Sequence, residues 1–154
     1  MKAMKRILLV EDDPKDAELT LVALEEYQLT NGVDTVGDGA EALDYLFRRG
    51  NFATREARNP VIVLLDLKLP KVSGLDVLRQ MKDDAQLRLV PVVVLTSSRE
   101  EQDLIDSYNL GVNAYVVKPV DFHKFIDAIK TLGAFWLLLN EAPLVHTDDP
   151  LPPS

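Results

Sequence analysis

The sequence contains no cysteine. A disulfide framework, thiol chemistry and a cysteine-zinc site are therefore all excluded. Nor does it hold an apolar span of about 18 residues or more, so no transmembrane helix is expected. The basic start, Met1-Lys2-Ala3-Met4-Lys5-Arg6, leads into Ile7-Leu8-Leu9-Val10. That run stops at once in Glu11-Asp12-Asp13-Pro14, too short for a signal-peptide core. A cytoplasmic protein is the expectation. Positive charge is scarce too: 17 Lys and Arg face 25 Asp and Glu, for a net charge of −8. This balance disfavours nonspecific binding to nucleic acid or anionic membrane and suits cations or basic partners.

What is present fits one globular domain: 154 residues, 47% apolar and 27% charged. The chain is organised around Val61-Ile62-Val63-Leu64-Leu65-Asp66, followed by Leu67-Lys68-Leu69-Pro70. An unbroken apolar run rich in Val and Ile reads as a strand buried on both faces, as inside a parallel sheet. It ends on a carboxylate, Asp66. In open α/β sheets, ligands bind just outside the carboxyl ends of strands, so Asp66 is either placed for chemistry or a strand-terminating turn residue.

The other elements follow in order. Ile7–Val10 is a short buried strand, and Pro14 suits the first turn of a helix with Asp12 or Asp13 as N-cap. Leu19, Val22, Ala23 and Tyr27 then recur at helical spacing over 17–27. Val33 and Val36 mark a weak second strand ended by Gly37-Asp38-Gly39, where Asp38 reads as a turn and cap residue. A second helix carries Ala42, Leu43, Leu46 and Phe47 and is stopped by Gly50-Asn51. The polar, Arg-containing connection 51–59 exceeds the usual length and reads as a mobile surface loop rather than a contact arm. Ser73-Gly74 opens a third helix with Leu75, Val77, Leu78 and Met81 on its apolar side. The fourth strand is Pro91–Leu95, running into Thr96. A polar helix spans about 99–108, and the fifth strand, Ala114–Val117, ends at Lys118-Pro119. The last helix, 121–139, shows a Phe122–Ile126–Ile129–Trp136 stripe flanked by Phe125 and Leu132. Beyond Asn140 a Pro-rich acidic tail, 141–154, is expected to be disordered. Alternating strands and helices predict an α/β domain with a parallel sheet covered on both faces.

The strand ends carry the chemistry: Glu11-Asp12-Asp13, Asp66, Thr96 and Lys118. Parallel strands present their carboxyl ends on one edge, about 4.8 Å apart between neighbours. If the first strand adjoins the third, Glu11, Asp12 and Asp66 converge and repel. A cation would relieve them, and hard carboxylate oxygens without His or Cys select Mg²⁺. Such a set suits phosphoryl transfer: a carboxylate nucleophile, a metal, a hydroxyl donor and an ammonium.

The segments ILLVEDDP, VIVLLDLKLP, VVVLTSS and YVVKP, in this order and spacing, resemble the receiver domain of two-component response regulators over about residues 5–130. The resemblance implies a doubly wound five-stranded parallel sheet of order 2-1-3-4-5, flavodoxin-like in type. It implies Asp66 as phosphoacceptor, with Thr96 and Lys118 beside it. Glu11, Asp12, Asp66 and the backbone carbonyl of Lys68 would hold Mg²⁺, Asp12 directly and Glu11 often through water. Thr96 and Tyr115 would form the switch, and Pro119 would follow a cis bond. The implied partner is a sensor histidine kinase. The long 50–60 connection and the Phe-Trp ending are similar to small regulators paired with phytochrome-type kinases.

Residues 1–140 are thus read as a single receiver domain that signals by contact rather than through an output domain. Phe135 and Leu138 point opposite the main stripe of the last helix, which predicts a homodimer through the face formed by helix 4, strand 5 and helix 5. His123 and His146 are not expected to carry phosphoryl groups. Three other classes compete. A haloacid-dehalogenase-type phosphatase needs a second Asp where this chain has Lys68. A flavodoxin needs a hydroxyl- and glycine-rich loop where this chain has acids. A receiver-fold scaffold independent of phosphorylation would have no use for the full acid–hydroxyl–lysine set.

Overall fold

The computed structural model describes residues 6–26, 32–107, 110, 112 and 114–131. Strands and helices alternate: β1 (Arg6–Val10), α1 (Pro14–Glu26), β2 (Gly32–Val36), α2 (Gly39–Phe47), β3 (Ile62–Asp66), α3 (Gly74–Asp83), β4 (Val92–Thr96), α4 (Arg99–Ser107), β5 (Tyr115–Val117) and α5 (Phe122–Thr131). The strands form one parallel sheet of order β2-β1-β3-β4-β5. The doubly wound α/β fold expected from the sequence is therefore present.

Side-chain alternation along the strands sorts the core into two layers. Leu8, Val10, Val63, Leu65, Val92 and Val94 pack with Leu43 and Leu46 of α2 and Val77, Leu78 and Met81 of α3. Ile7, Leu9, Ile62, Leu64, Val93 and Leu95 pack with Ala23 and Leu24 of α1 and Phe125, Ile126 and Ala128 of α5. Every residue of β3 and β4 is buried, which explains their unbroken apolar runs. Each such aliphatic side chain contributes about 1.5–3 kcal/mol on removal from water.

Several local expectations need correction. β3 and β4 each begin and end one residue later than the apolar runs, so Asp66 and Thr96 are the last strand residues. Asp66 pairs with Leu95 and Thr96 with Val117, and ladder bonding extends the strands over these polar residues. Helix α1 does not bury the Leu19–Val22 side; those residues are 49% and 47% exposed. It packs instead through Thr20, Ala23 and Leu24, with Ala17 and Leu21 beside them. Ala17, Thr20, Leu21 and Leu24 also follow the helical period, and their smaller members let the helix lie close to the sheet. Tyr27 lies outside the described residues. In α5, Phe125 is fully buried rather than flanking; the side chains of Phe122 and Ile129 lie outside the described set, as do Leu132 and Trp136.

Helix α2 stops earlier than Gly50. Arg48 adopts a left-handed conformation as C-cap, with its N–H bonded to the last turn. The connection that follows is not a loose arm. Gly50–Phe52 forms a 3₁₀ turn, and Phe52 meets the Tyr45 ring edge-on at 5.2 Å. Arg55 stacks 4.2 Å over the same ring. Its guanidinium donates to the carbonyls of Tyr45, Glu56 and Arg58 at 3.0, 3.0 and 2.8 Å. One planar side chain with several donors thus ties the connection to α2. Tyr45 in turn donates to Asp34 of β2, which also binds Arg6 of β1.

The helix starts are as read. Asp13 caps α1, accepting from the N–H of Lys15 at 2.8 Å. Asp38 caps α2 and Ser73 caps α3 through the N–H of Glu41 and Asp76. No helix among the described residues is long and apolar enough to cross a membrane.

Candidate functional site

Four neighbouring strands, β1, β3, β4 and β5, deliver the site. Val10 pairs with Leu65, so β1 and β3 run level, and Glu11 and Asp12 leave β1 beside the end of β3. The N–H of Glu11 is held by the Val36 carbonyl at 3.0 Å. Beyond β5, the N–H of Lys118 is held by the Thr96 carbonyl at 2.8 Å. The Lys118–Pro119 bond is cis, as expected.

These backbone anchors bring Glu11, Asp12 and Asp66 together: each offers a carboxylate oxygen within 4.8 Å of the others. Glu11 and Asp66 are buried and Asp12 is exposed. Asp66 Oδ2 accepts from Lys118 Nζ at 2.7 Å, and Oδ1 accepts from the Lys68 N–H at 3.1 Å. Lys118 Nζ also lies 2.7 Å from Glu11 Oε1, in an ion pair poorly aligned for a hydrogen bond.

Electrostatics follow from this crowding. Burial pushes the Glu11 carboxyl up to about 7, reinforced by Asp66 and opposed by Lys118. Burial alone would lower the Lys118 ammonium, but Asp66 and Glu11 hold it above the ordinary lysine range. One ammonium cannot neutralise the cluster, so the site has room in its charge balance for a cation. Three converging carboxylates, one solvent-facing, suit a hard divalent ion.

Thr96 is fully buried, and its hydroxyl has no hydrogen-bond partner. A buried orphan hydroxyl is uncommon and is a donor available to an incoming oxygen. Tyr115 is half-buried and gives its hydroxyl to Asp106 of α4, not to Thr96. Lys68 has an exposed side chain and does not supply the second acid a dehalogenase-type phosphatase needs. Phe135, Leu138, His146 and the 141–154 tail lie outside the described residues; His123 is exposed in the first turn of α5.

Sequence reasoning missed three participants. Asp16, in the first turn of α1, accepts from Lys118 Nζ at 3.2 Å; its place in the first helical turn after the acid run was the only available signal. Glu101 of α4 accepts from the Ser97 N–H and lies near Lys68. Asp106 carries the Tyr115 contact. Both lie in a helix that reads only as polar.

Comparison with known proteins agrees with this geometry. The profile of the response regulator receiver domain matches residues 7–130. The structure of the bacteriophytochrome response regulator RtBRR superposes with a TM-score of 0.84 at 62% identity, covering 92% of this chain and 85% of that one. The bacteriophytochrome response regulator AtBRR gives 0.85 at 60% identity, covering 91% and 100%. Response regulator Rcp1 of Synechocystis sp. is 36% identical over 133 residues, 86% of this chain and 89% of its own length. Its Mn²⁺-bound crystal structure superposes with a TM-score of 0.70 at 34% identity, covering 97% and 99%. With the acid cluster, the buried hydroxyl and the lysine assembled at one sheet edge, the chain belongs to the response regulator receiver domain family and is similar to its phytochrome-associated members.

Proposed function

We propose that Asp66 accepts a phosphoryl group from a sensor histidine kinase, of the phytochrome-associated type, and that the modified chain signals through a protein-contact surface. The observation that carries this reading is the Asp66–Lys118 contact of 2.7 Å beside a buried, unpartnered Thr96 hydroxyl. An Asp66 oxygen attacks the phosphorus of a kinase phosphohistidine. The P–O bond forms as the P–N bond breaks, and its electron pair returns to the imidazole. Lys118 balances charge on the phosphoryl oxygens as a point cation, and Thr96 supplies a hydrogen bond. Asp12, Asp66, the Lys68 carbonyl and, through water, Glu11 would hold Mg²⁺. That ion, when bound, would neutralise charge spreading over the transferring group. Mn²⁺ in Rcp1 supports a divalent site of this kind.

The product adds about −1.5 to −2 charges at the edge of the sheet. Thr96 turns toward it, Tyr115 exchanges Asp106 for the vacated interior, and the α4–β5–α5 face changes shape. This face, continued by Phe135 and Leu138, is proposed as a homodimer contact. The receiver unit is taken to end near residue 140, and the signalling location is taken to be the cytoplasm.

Acetyl phosphate or a cognate kinase with Mg²⁺ should label the protein in acid-labile form, and Asp66→Asn should abolish the label. Labelling that survives this substitution discards the assignment. Light scattering on wild type and a Phe135→Asp/Leu138→Asp variant tests the dimer, and a wild type that is monomeric with and without phosphate ends that part.

A further inference from the structure

Glu101 holds an unusual position for a helix carboxylate. It lies in the first turn of α4 and reaches back over the end of β4, where Oε2 accepts from the Ser97 N–H at 3.0 Å. Oε1 lies 3.5 Å from Lys68 Nζ, buried and without a hydrogen-bond partner. The Glu101 side chain is only 12% exposed. One carboxylate therefore bridges the turn after β4 and the loop after β3.

Both groups it holds belong to segments that adjoin Asp66. Ser97 follows Thr96 on the strand in register with β3, and Lys68 already gives its N–H to Asp66 Oδ1. A backbone N–H and an ammonium on a long side chain are groups that a phosphoryl dianion on Asp66 could draw on. A common explanation for such a residue is a capping box, and Ser98 does accept from the Glu101 N–H at 3.4 Å. In that motif, however, the glutamate returns to the N–H of the capping serine itself. Here it passes Ser98 and takes the N–H of Ser97, one residue closer to the site.

We propose that Glu101 is a resident anion that occupies the Ser97 amide and the Lys68 ammonium until a phosphoryl group on Asp66 displaces it. This rests on Asp66 being the phosphoacceptor. Two anions cannot share those donors without strong like-charge repulsion. Phosphorylation therefore expels Glu101 toward solvent and releases the start of α4 from β4. The same helix carries Asp106, the partner of Tyr115, near its other end. Loss of the Glu101 contact thus reaches the Tyr115 side of the molecule through one rigid element.

The test is a titration of the full chain with beryllofluoride in Mg²⁺ buffer, followed by the Ser97 amide resonance. Glu101→Gln keeps the shape and the acceptor but removes the charge; Glu101→Ala removes both. Each should bind beryllofluoride at least roughly fivefold more tightly than wild type, the gain shrinking as salt is added. In analogue-free protein, Glu101→Ala should shift the Ser97 amide upfield as its carboxylate acceptor is lost, and added beryllofluoride should shift it back downfield by supplying a new one. If Glu101 only caps α4, Glu101→Ala lowers stability while both variants bind with wild-type affinity, and the proposal is overturned. A wild type that takes up no beryllofluoride overturns the assignment of Asp66 itself, and this inference with it.

Discussion

The Tyr115 hydroxyl of β5 donates to the Asp106 carboxylate of α4, which holds the ring outward at the edge of the sheet. Burial and Asp106 together raise the phenol well above the ordinary tyrosine range, so it is a neutral donor at any physiological pH. A hydrogen bond to a charged acceptor contributes about 1.5–3 kcal/mol, and less where water competes as it does here. Removing it should raise the inward population of Tyr115 by roughly threefold to tenfold before any phosphorylation. Aromatic NMR of Tyr115 in Asp106→Ala reads this directly. Tyr115→Phe should shift the ring equally, and the double variant no further, because both changes remove one contact. Additive effects would mean that the two residues act separately.

Glu11 gives the metal-free protein a pH dependence of definite sign. Its ordinary value of 4.5 rises to about 7 in the fold, chiefly through burial and secondly through Asp66. Between these values the folded state binds more protons than the unfolded one, so stability falls as pH rises from about 4.5 to 7. Below 4.5 that contribution is fully present. Urea midpoints in chelator should decline across this window, and Glu11→Gln should flatten the slope. The same proton opposes a divalent ion, so Mg²⁺ affinity should fall below pH 7, with proton release on binding measurable by calorimetry. A slope unchanged in Glu11→Gln assigns the titration elsewhere.

The site was largely legible in the sequence because its parts sit at strand ends, where an apolar run stops abruptly on a polar residue. Asp66, Thr96 and Lys118 each have that signal, and parallel order brings them to one edge. The helix residues that contact this edge lacked it. Asp16, Glu101 and Asp106 are ordinary helix acids, and their partners are 102, 33 and 9 positions away. The inner face of α1 was misread because Leu19 and Val22 are the larger apolar groups, whereas packing selected Thr20 and Ala23. Arg55 was hidden for another reason. Nothing in the 51–59 composition distinguishes an arginine stacked on Tyr45 from one in water.

Lys118 faces three carboxylates, at 2.7, 3.2 and 2.7 Å for Glu11, Asp16 and Asp66. Its side chain is 15% exposed, so the ammonium is poorly solvated and its removal leaves the acids uncompensated. Lys118→Ala should therefore destabilise the metal-free protein by about 2–3 kcal/mol, toward the low end for breaking buried ion pairs because Asp16 can reach water. Divalent ion should recover part of the loss by replacing the missing positive charge. Urea denaturation with and without Mg²⁺ checks both statements. An equal loss in both conditions would mean that lysine acts by packing rather than by charge.

Gly74 sits where α3 begins, and a Cβ there would lie 2.3 Å from the Asp66 carbonyl oxygen and 2.7 Å from Leu67 Cα. Its N–H donates to the Leu67 carbonyl at 3.0 Å, pinning the first turn of α3 against the segment that carries Asp66 and Lys68. Helix propensity alone favours alanine over glycine by about 1 kcal/mol. The clash is with backbone, which cannot rotate away, so Gly74→Ala should instead destabilise by about 2–3 kcal/mol. The exposed position Gln80 in the same helix serves as the control, where alanine should be neutral or slightly stabilising. Because the loop after β3 must shift to make room, phosphoryl uptake on Asp66 should fall even at temperatures where Gly74→Ala remains folded. Urea midpoints paired with acetyl phosphate labelling separate the two effects. A Gly74→Ala protein that is as stable as wild type would show that α3 is free to move away from β3 without consequence for the site.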